Sequence, residues 1–295
     1  MSVIRKSASD IAAKIVAYVL TAGFAIVCVL PMWHVLVASF SDPIRLALYE
    51  GFLFKPLSFS VEGYELLFSY NNLWRSYLNT IIYTVSATAL GLLLDLLAAY
   101  VLSRKNLMFN RFHMIVNIIP LLFNGGVIPL YLVVRSLGLT NTMWAMIIPA
   151  CCNTMSIIMV KNGMESVNDA ICEAAQIDGA GHVRILMQIM LPLTTSFIAT
   201  VVLFNAIGHW NSWGNASMFI SASHKDLYPL QLIMRDILIN NSTEGVVSPS
   251  GYPISFYLPS LRVVMVIVGS LPLIVLYPFM QKYFEKGIII GGVKG

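Results

Sequence analysis

An all-α membrane protein of six transmembrane helices is what this sequence predicts, on three observations. Hydrophobic residues make up 58% of the 295 and charged residues only 11%, less than half of the roughly 25% that a soluble domain carries. Mean hydropathy is +0.78. The apolar residues gather into six runs that meet or approach the roughly 20 residues an α-helix needs to cross a bilayer. A single membrane domain over 1–295 is expected. The formal charge of +4, with no acidic or basic tail, gives no case for nucleic acid.

The first run, about 12–38, follows Arg5, Lys6 and Lys14. It is longer than the apolar part of a cleaved signal and lacks a convincing small-residue cleavage site, so it is read as a helix. The others lie at about 76–102, 113–134, 142–160, 191–210 and 261–281. Asp95 is the one acid well inside a run, and a mid-helix acid costs about 2.5 to 3.5 kcal/mol on insertion scales. Leu90, Leu92, Leu93, Leu94, Leu96, Leu97 and Leu102 offset it at about 0.5 kcal/mol each. Asp95 is expected to face a neighbouring helix or an aqueous vestibule. A proton relay through it, in a self-sufficient secondary transporter, is the alternative. His34 and His209 are read as packing or interface residues, and residues 221–260 as an outer connection that is structured in parts.

Lys and Arg in the connections set the orientation. With six spans, Arg5, Lys6, Lys14, Arg104, Lys105, Arg111, Lys161, Arg184, Lys282, Lys286 and Lys294 share one side, 11 of the 18 basic residues. That side is expected to be cytoplasmic and to hold both termini. Cys28, Cys151, Cys152 and Cys172 form no disulfide framework and are expected to be small buried hydrophobes. Neither CxxC nor HExxH occurs, so no metal site is expected, and no GxxxxGK[ST] loop binds a nucleotide. The scattered Ser and His show no nucleophile and base spacing, so the chain is not expected to be an enzyme.

Between the fourth and fifth runs lies a polar, glycine-broken stretch, EAAQIDGAGHVRILMQIMLP from Glu173 to Pro192. Asn168 or Asp169 is placed to cap a short helix reaching Gln176. Gly179 then permits the positive φ of a sharp turn, and Val183, Leu186, Met187 and Met190 follow at helical spacing. Pro192 is expected early in the fifth span, where its missing N–H costs least. The prediction for 168–190 is helix, turn, helix on the cytoplasmic side.

EAA followed two residues later by DGA, then an apolar cluster and LP, resembles the EAA signature of binding-protein-dependent ABC importer permeases. The family usually has an aromatic where this chain has Leu186. AAYVLSRK (98–105) and QKYFEKGIIIGGVKG (281–295) are similar to the second-helix ending and the tail of the carbohydrate type, with the maltose-type second permease as the nearer pattern. GHWNSWGNASMFI (208–220) resembles a subgroup for complex oligosaccharides and lipo-oligosaccharides.

The resemblance implies a permease subunit in a bacterial cell membrane, working beside a second permease, a cytoplasmic ATPase pair that holds ATP and Mg, and an extracytoplasmic solute-binding protein. The chain itself would hold no cofactor, and an oligosaccharide would be the cargo. Glu173, Ala174, Ala175, Asp178, Gly179, Ala180 and Leu186 would form the coupling segment. Gln281, Lys286, Gly287, Lys294 and Gly295 would carry the tail's contact with the ATPase. Asn117, Asn124, Asn153, Trp210, Asn211 and Trp213 are candidates for the substrate path, since amides bond sugar hydroxyls and flat rings stack on pyranose faces. Interhelical bonding and an aromatic belt are the favoured reading of each of these residues taken singly.

Overall fold

The structure, a computed structural model, describes residues 8–70, 72–239 and 253–292, with side chains described over 12–70, 72–239, 253–279 and at Gln281. Regular structure among the described residues is helical, apart from an isolated antiparallel bridge between Ser41 and Phe59. The chain forms two compact units, Met1–Asn71 with Ile237–Ser270 and Asn72–Asp236 with Leu271–Gly295.

In the first unit, α1 (Ala8–Ser39) supplies a span over Ala12–Ser39. Its side chains stay largely exposed until Val37 and Ala38, which pack on Leu46 and Leu53. Asp42 caps the short α2 (Pro43–Ala47) by accepting from the Arg45 N–H at 2.9 Å, and α3 (Glu62–Phe68) follows. His34 is a packing residue, as expected: its Nδ1 accepts from the Leu53 N–H at 3.0 Å and its ring lies 5.0 Å from that of Phe52.

The second unit is built on α4 (Leu73–Leu102), with α5 (Asn110–Leu122), α6 (Val127–Ser136), α7 (Trp144–Ile147) and α8 (Thr154–Glu165). Next come α9 (Asp169–Ile177), α10 (His182–Ile185), α11 (Leu191–Leu193) and α12 (Thr195–Trp210), then α13 (Trp213–Phe219) and α14 (Leu230–Leu238). The last helix, α15, runs from Leu258 to Gly292. α4 is the hub of this unit, packing on α8 and α12. Toward its N-terminal end Asn79 donates to the carbonyls of Asp226 and Tyr228 at 2.8 and 3.2 Å. Thr80 Oγ1 accepts from the Leu230 N–H at 2.8 Å there. The connection after 220 is therefore ordered in parts up to Leu238, and its centre lies outside the described residues.

Three of the six expected spans are single unbroken helices, at Ala12–Ser39, Leu73–Leu102 and Leu258–Phe279. The other three runs are bent pairs, α5 with α6 at 112°, α7 and its 3-10 extension with α8 at 47°, and His182–Leu193 with α12 at 84°. Six crossings follow when each pair counts as one. The fifth run, expected from 191, straddles a bend, since Pro192 lies in the arm before it and α12 starts at Thr195. Thr194 marks the corner, its Oγ1 donating to the Met190 carbonyl at 2.7 Å. The cysteines divide: Cys151 and Cys172 are buried, but Cys28 and Cys152 are exposed, because both sit on helix or loop faces that no described residue of their own unit covers.

Candidate functional site

The helix, turn, helix expected over 168–190 is present. Asn168 caps α9 with its Oδ1 accepting from the Ala170 N–H at 3.0 Å. At the other end the Gly179 N–H reaches the Gln176 carbonyl at 3.0 Å and the Ala180 N–H reaches the Ala175 carbonyl at 2.9 Å. This pair of bonds is the Schellman termination, which places a left-handed residue after the cap. Gly179 supplies it at φ +78°. After the turn, the arm His182–Leu193 passes through a π-helical turn at Leu186–Met190.

That turn resets which residues face inward. Ile185, Leu186 and Met190 are buried with Cys172 against Ala99, Tyr100 and Leu102 of α4 and Ile157, Val160 and Met164 of α8. Val183 and Met187, expected on the same apolar face as Leu186, are 76% and 58% exposed, and Ile177 is 87% exposed. A regular 3.6-residue period groups Val183, Leu186, Met187 and Met190 on one face, and the wider turn that begins at Leu186 interrupts that period.

Two contacts fix the segment to the end of α4, and a third, within that end, braces the tyrosine. Tyr100 Oη and His182 Nδ1 are 3.1 Å apart. The Arg104 guanidinium lies 4.5 Å above the Tyr100 ring. Lys105 Nζ pairs with Asp169 Oδ2 at 2.5 Å. The pair holds the Lys105 ammonium above its ordinary pKa and the Asp169 carboxyl below its own, each chiefly by the hydrogen bond to the other. Between α4 and the segment lies a cavity of about 600 Å³ with Leu97, Val101 and Leu186 on its walls and Arg104, Glu173 and Gln176 among its polar lining.

Glu173, Ala174 and Asp178 are exposed, Ala175 and Ala180 half-buried, and Leu186 is buried at 6% in the chain's own core. Tyr100, Lys105, Asp169 and His182 were not singled out as site residues from sequence. Tyr100 sits in the last turn of α4 and Arg104 and Lys105 follow its C-cap Ser103, so no helical period could place them against Asp169 and His182.

The path candidates are not gathered into one group. Asn117 and Asn153 come near each other, since Thr154 Oγ1 donates to the Asn117 carbonyl at 3.0 Å. Asn124 is exposed in the α5–α6 bend, its Oδ1 accepting from the Gly126 N–H at 2.9 Å. Trp210 is 4% exposed and packs edge-on to Tyr77 at 5.8 Å, so its face is not open to a sugar. Asn211 is spent on the Ile207 carbonyl at 3.0 Å. Trp213 is exposed, with the Arg235 guanidinium 4.4 Å over its ring. Asp95 faces neighbouring helices and is fully buried. Gln281 is exposed, and Lys286 and Gly287 lie on the α15 backbone. The Lys286 side chain, Lys294 and Gly295 fall outside the described residues.

Residues 68–290 match the family described as binding-protein-dependent transport system inner membrane component. Two Bacillus subtilis proteins are similar over nearly the whole chain. The polygalacturonan/rhamnogalacturonan transport system permease protein YtcP is 36% identical over 92% of this chain and 94% of its own. Protein LplC is 34% identical over 92% of each. Among solved structures, a chain of a bacterial ABC transporter involved in the import of the acidic polysaccharide alginate superposes with a TM-score of 0.82. It is 28% identical, with coverage of 94% of this chain and 98% of that one.

Proposed function

That this chain belongs to the family of binding-protein-dependent transport system inner membrane components is the premise from which we propose that it is an oligosaccharide-importing ABC permease subunit driven by a cytoplasmic ATPase. It is a multi-pass membrane transport protein and not an enzyme. A second permease completes the translocation path, an extracytoplasmic binding protein delivers the sugar, and both termini lie in the cytoplasm. ATP and Mg belong to the ATPase pair. The relatives' cargoes, polygalacturonan/rhamnogalacturonan and alginate, favour fragments of acidic polysaccharides. The Arg235 guanidinium stacked on exposed Trp213 suits such a cargo, pairing a ring surface with a cation that binds carboxylates bidentately.

The observation that carries the coupling role is the 168–190 segment. It is anchored firmly to α4, yet it leaves Ile177, Val183 and Met187 exposed at 87%, 76% and 58% beside exposed Glu173. Apolar side chains displayed on a polar, rigid segment mark an interaction surface. Glu173 anchors to a cation of the ATPase, Ala174 and Ala175 allow close approach, and Asp178, Gly179 and Ala180 shape the turn. Leu186 acts from behind by supporting the segment. The tail from Gln281 to Gly295, through Lys286, Gly287 and Lys294, reaches the ATPase pair.

The test is copurification from native membranes using a tag on this chain. The wild type is expected to bring down a second six-span permease and an ATP-hydrolysing subunit. The double variant Ile177→Asp with Val183→Asp is expected to keep the permease and lose the ATPase. Retention of the ATPase by the double variant would overturn the assignment of this face. Removal of residues 285–295 is expected to leave ATP hydrolysis running without uptake.

A further inference from the structure

The fourth span is interrupted. α7 and its 3-10 extension end at Ala150, α8 begins at Thr154, and their axes differ by 47°. Cys151 caps the first piece, and Cys152 and the extended Asn153 (φ −131°, ψ 109°) interrupt the helix within the apolar run. At membrane depth such backbone persists only where it is buried in protein or lines a wet cavity, because lipid offers nothing to bond the freed N–H and C=O groups.

One turn of α4 accommodates the break. A Cβ on Gly91 would stand 2.7 Å from the Cys151 carbonyl oxygen, so the two backbones meet at a distance that any side chain forbids. Four residues on, and so on the same helix face, Asp95 accepts from the Asn153 backbone N–H at 3.4 Å. Asp95 is completely buried, and among the described residues its second oxygen makes no close hydrogen bond, the Asn205 side chain being the polar group that acts on the carboxylate besides the Asn153 N–H. Two further bonds tie the start of α8. Ser156 Oγ donates to Asn205 Oδ1 of α12 at 3.1 Å, and Thr154 Oγ1 donates to the Asn117 carbonyl of α5 at 3.0 Å. A buried acid with one oxygen lacking a close hydrogen bond is expensive, and leucine would fill the place without that cost. Holding the break in shape is what the carboxylate adds.

α8 then runs for 12 residues, about 18 Å at 1.5 Å per residue, and only Ser166, Val167 and Asn168 separate it from α9. It is a rod with the docking segment at one end and the clasped break, with exposed Asn153, at the other.

We propose that Gly91 and Asp95 are positioning residues for transport. They hold the break in one geometry, so that a tilt imposed on α8 through α9 moves the path at Asn153 instead of being taken up by slack backbone. This rests on the ATPase-driven reading above.

The test uses the whole transporter, this chain with its second permease and ATPase, in vesicles with binding protein and an oligogalacturonate outside. The quantity read is sugar taken up per ATP hydrolysed by the assembled complex. Asp95→Leu and Gly91→Ala are each expected to lower that ratio about tenfold, within the usual range of coupling between distant sites. Asp95→Asn, which keeps an acceptor, is expected to stay within about threefold of wild type on the same scale. A residue that only stabilises the fold changes how much complex assembles and leaves the ratio alone. An unchanged ratio in Asp95→Leu and Gly91→Ala therefore overturns the proposal, whatever the yield. Should Asp95→Leu fail to assemble, the ratio in Gly91→Ala decides alone. Failure of the wild type to couple uptake to hydrolysis would instead sink the ATPase-driven reading itself, and no variant is needed to see it.

Discussion

Tyr100 Oη and His182 Nδ1 stand 3.1 Å apart, joining the last turn of the second span to the first turn after the glycine bend. The bond crosses 82 residues of sequence, and with the Arg104 guanidinium over the same ring it makes Tyr100 the anchor of the arm. Tyr100→Phe keeps the ring and its cation contact but removes the hydroxyl. A lost hydrogen bond of this kind costs about 1 kcal/mol. Amides over 182–190 are expected to exchange roughly fivefold faster with deuterium in the variant, with the α4 amides unchanged. Identical exchange over the arm would show that the bond holds nothing in place.

Gly179 tests the turn itself. At φ +78° a left-handed backbone costs an L-residue roughly 1 to 2 kcal/mol, and asparagine bears it better than most. Uptake is expected to fall in the order Gly179→Asn, Gly179→Ala, Gly179→Val, the β-branched residue being the worst. No atom lies near enough to meet an added Cβ, so the ranking reports backbone strain and not a clash. Equal activity in all three variants would mean that the turn tolerates another shape.

The helical class, the membrane setting and the helix, turn, helix of 168–190 were all legible in the sequence, because each is written in local signals. Asn168 and Gly179 mark their own cap and turn, and an apolar run declares itself by length. What was not legible depended on partners distant in the chain. The π turn at Leu186–Met190 leaves no mark on the apolar spacing, so Val183, Leu186, Met187 and Met190 read as one helical face, yet Val183 and Met187 are exposed and the other two buried. Hydropathy also reads a bent pair and a straight span alike, so the 112°, 47° and 84° breaks appear only in three dimensions. Trp210 shows the same gap between residue type and role: it suits a sugar chemically, but it is packed against Tyr77.

The Lys105–Asp169 pair sets a limit on pH behaviour. Because the Asp169 carboxyl is held below its ordinary value, its share of the pair is present above about pH 4 and lost as pH falls through the lowered pKa. The Lys105 ammonium is held above its ordinary value, so its share is complete below about pH 10 and lost as pH rises through the raised pKa. Between those limits both groups stay charged. Both are also solvent-exposed, where an ion pair contributes little. The uptake profiles of wild type and Asp169→Asn are therefore expected to run parallel from about pH 5 to 9. A profile that changes shape in the variant would place a titration here that the geometry does not support.

Gly163 decides how closely α8 approaches α12. A Cβ there would fall 2.6 Å from two ring carbons of Phe197 and 3.0 Å from its Cβ. The ring can turn, but its Cβ moves only with the backbone, so Gly163→Ala is expected to force the two helices apart. Overpacking of this kind costs about 1 to 3 kcal/mol. Phe197→Leu removes the ring from the contact and leaves space for the new methyl. The double variant Gly163→Ala with Phe197→Leu is expected to melt in detergent above Gly163→Ala alone, although Phe197→Leu alone loses packing. This non-additivity identifies a direct contact, since distant substitutions add. Strictly additive melting shifts would mean that the two residues do not meet, and that α8 is spaced from α12 by other contacts.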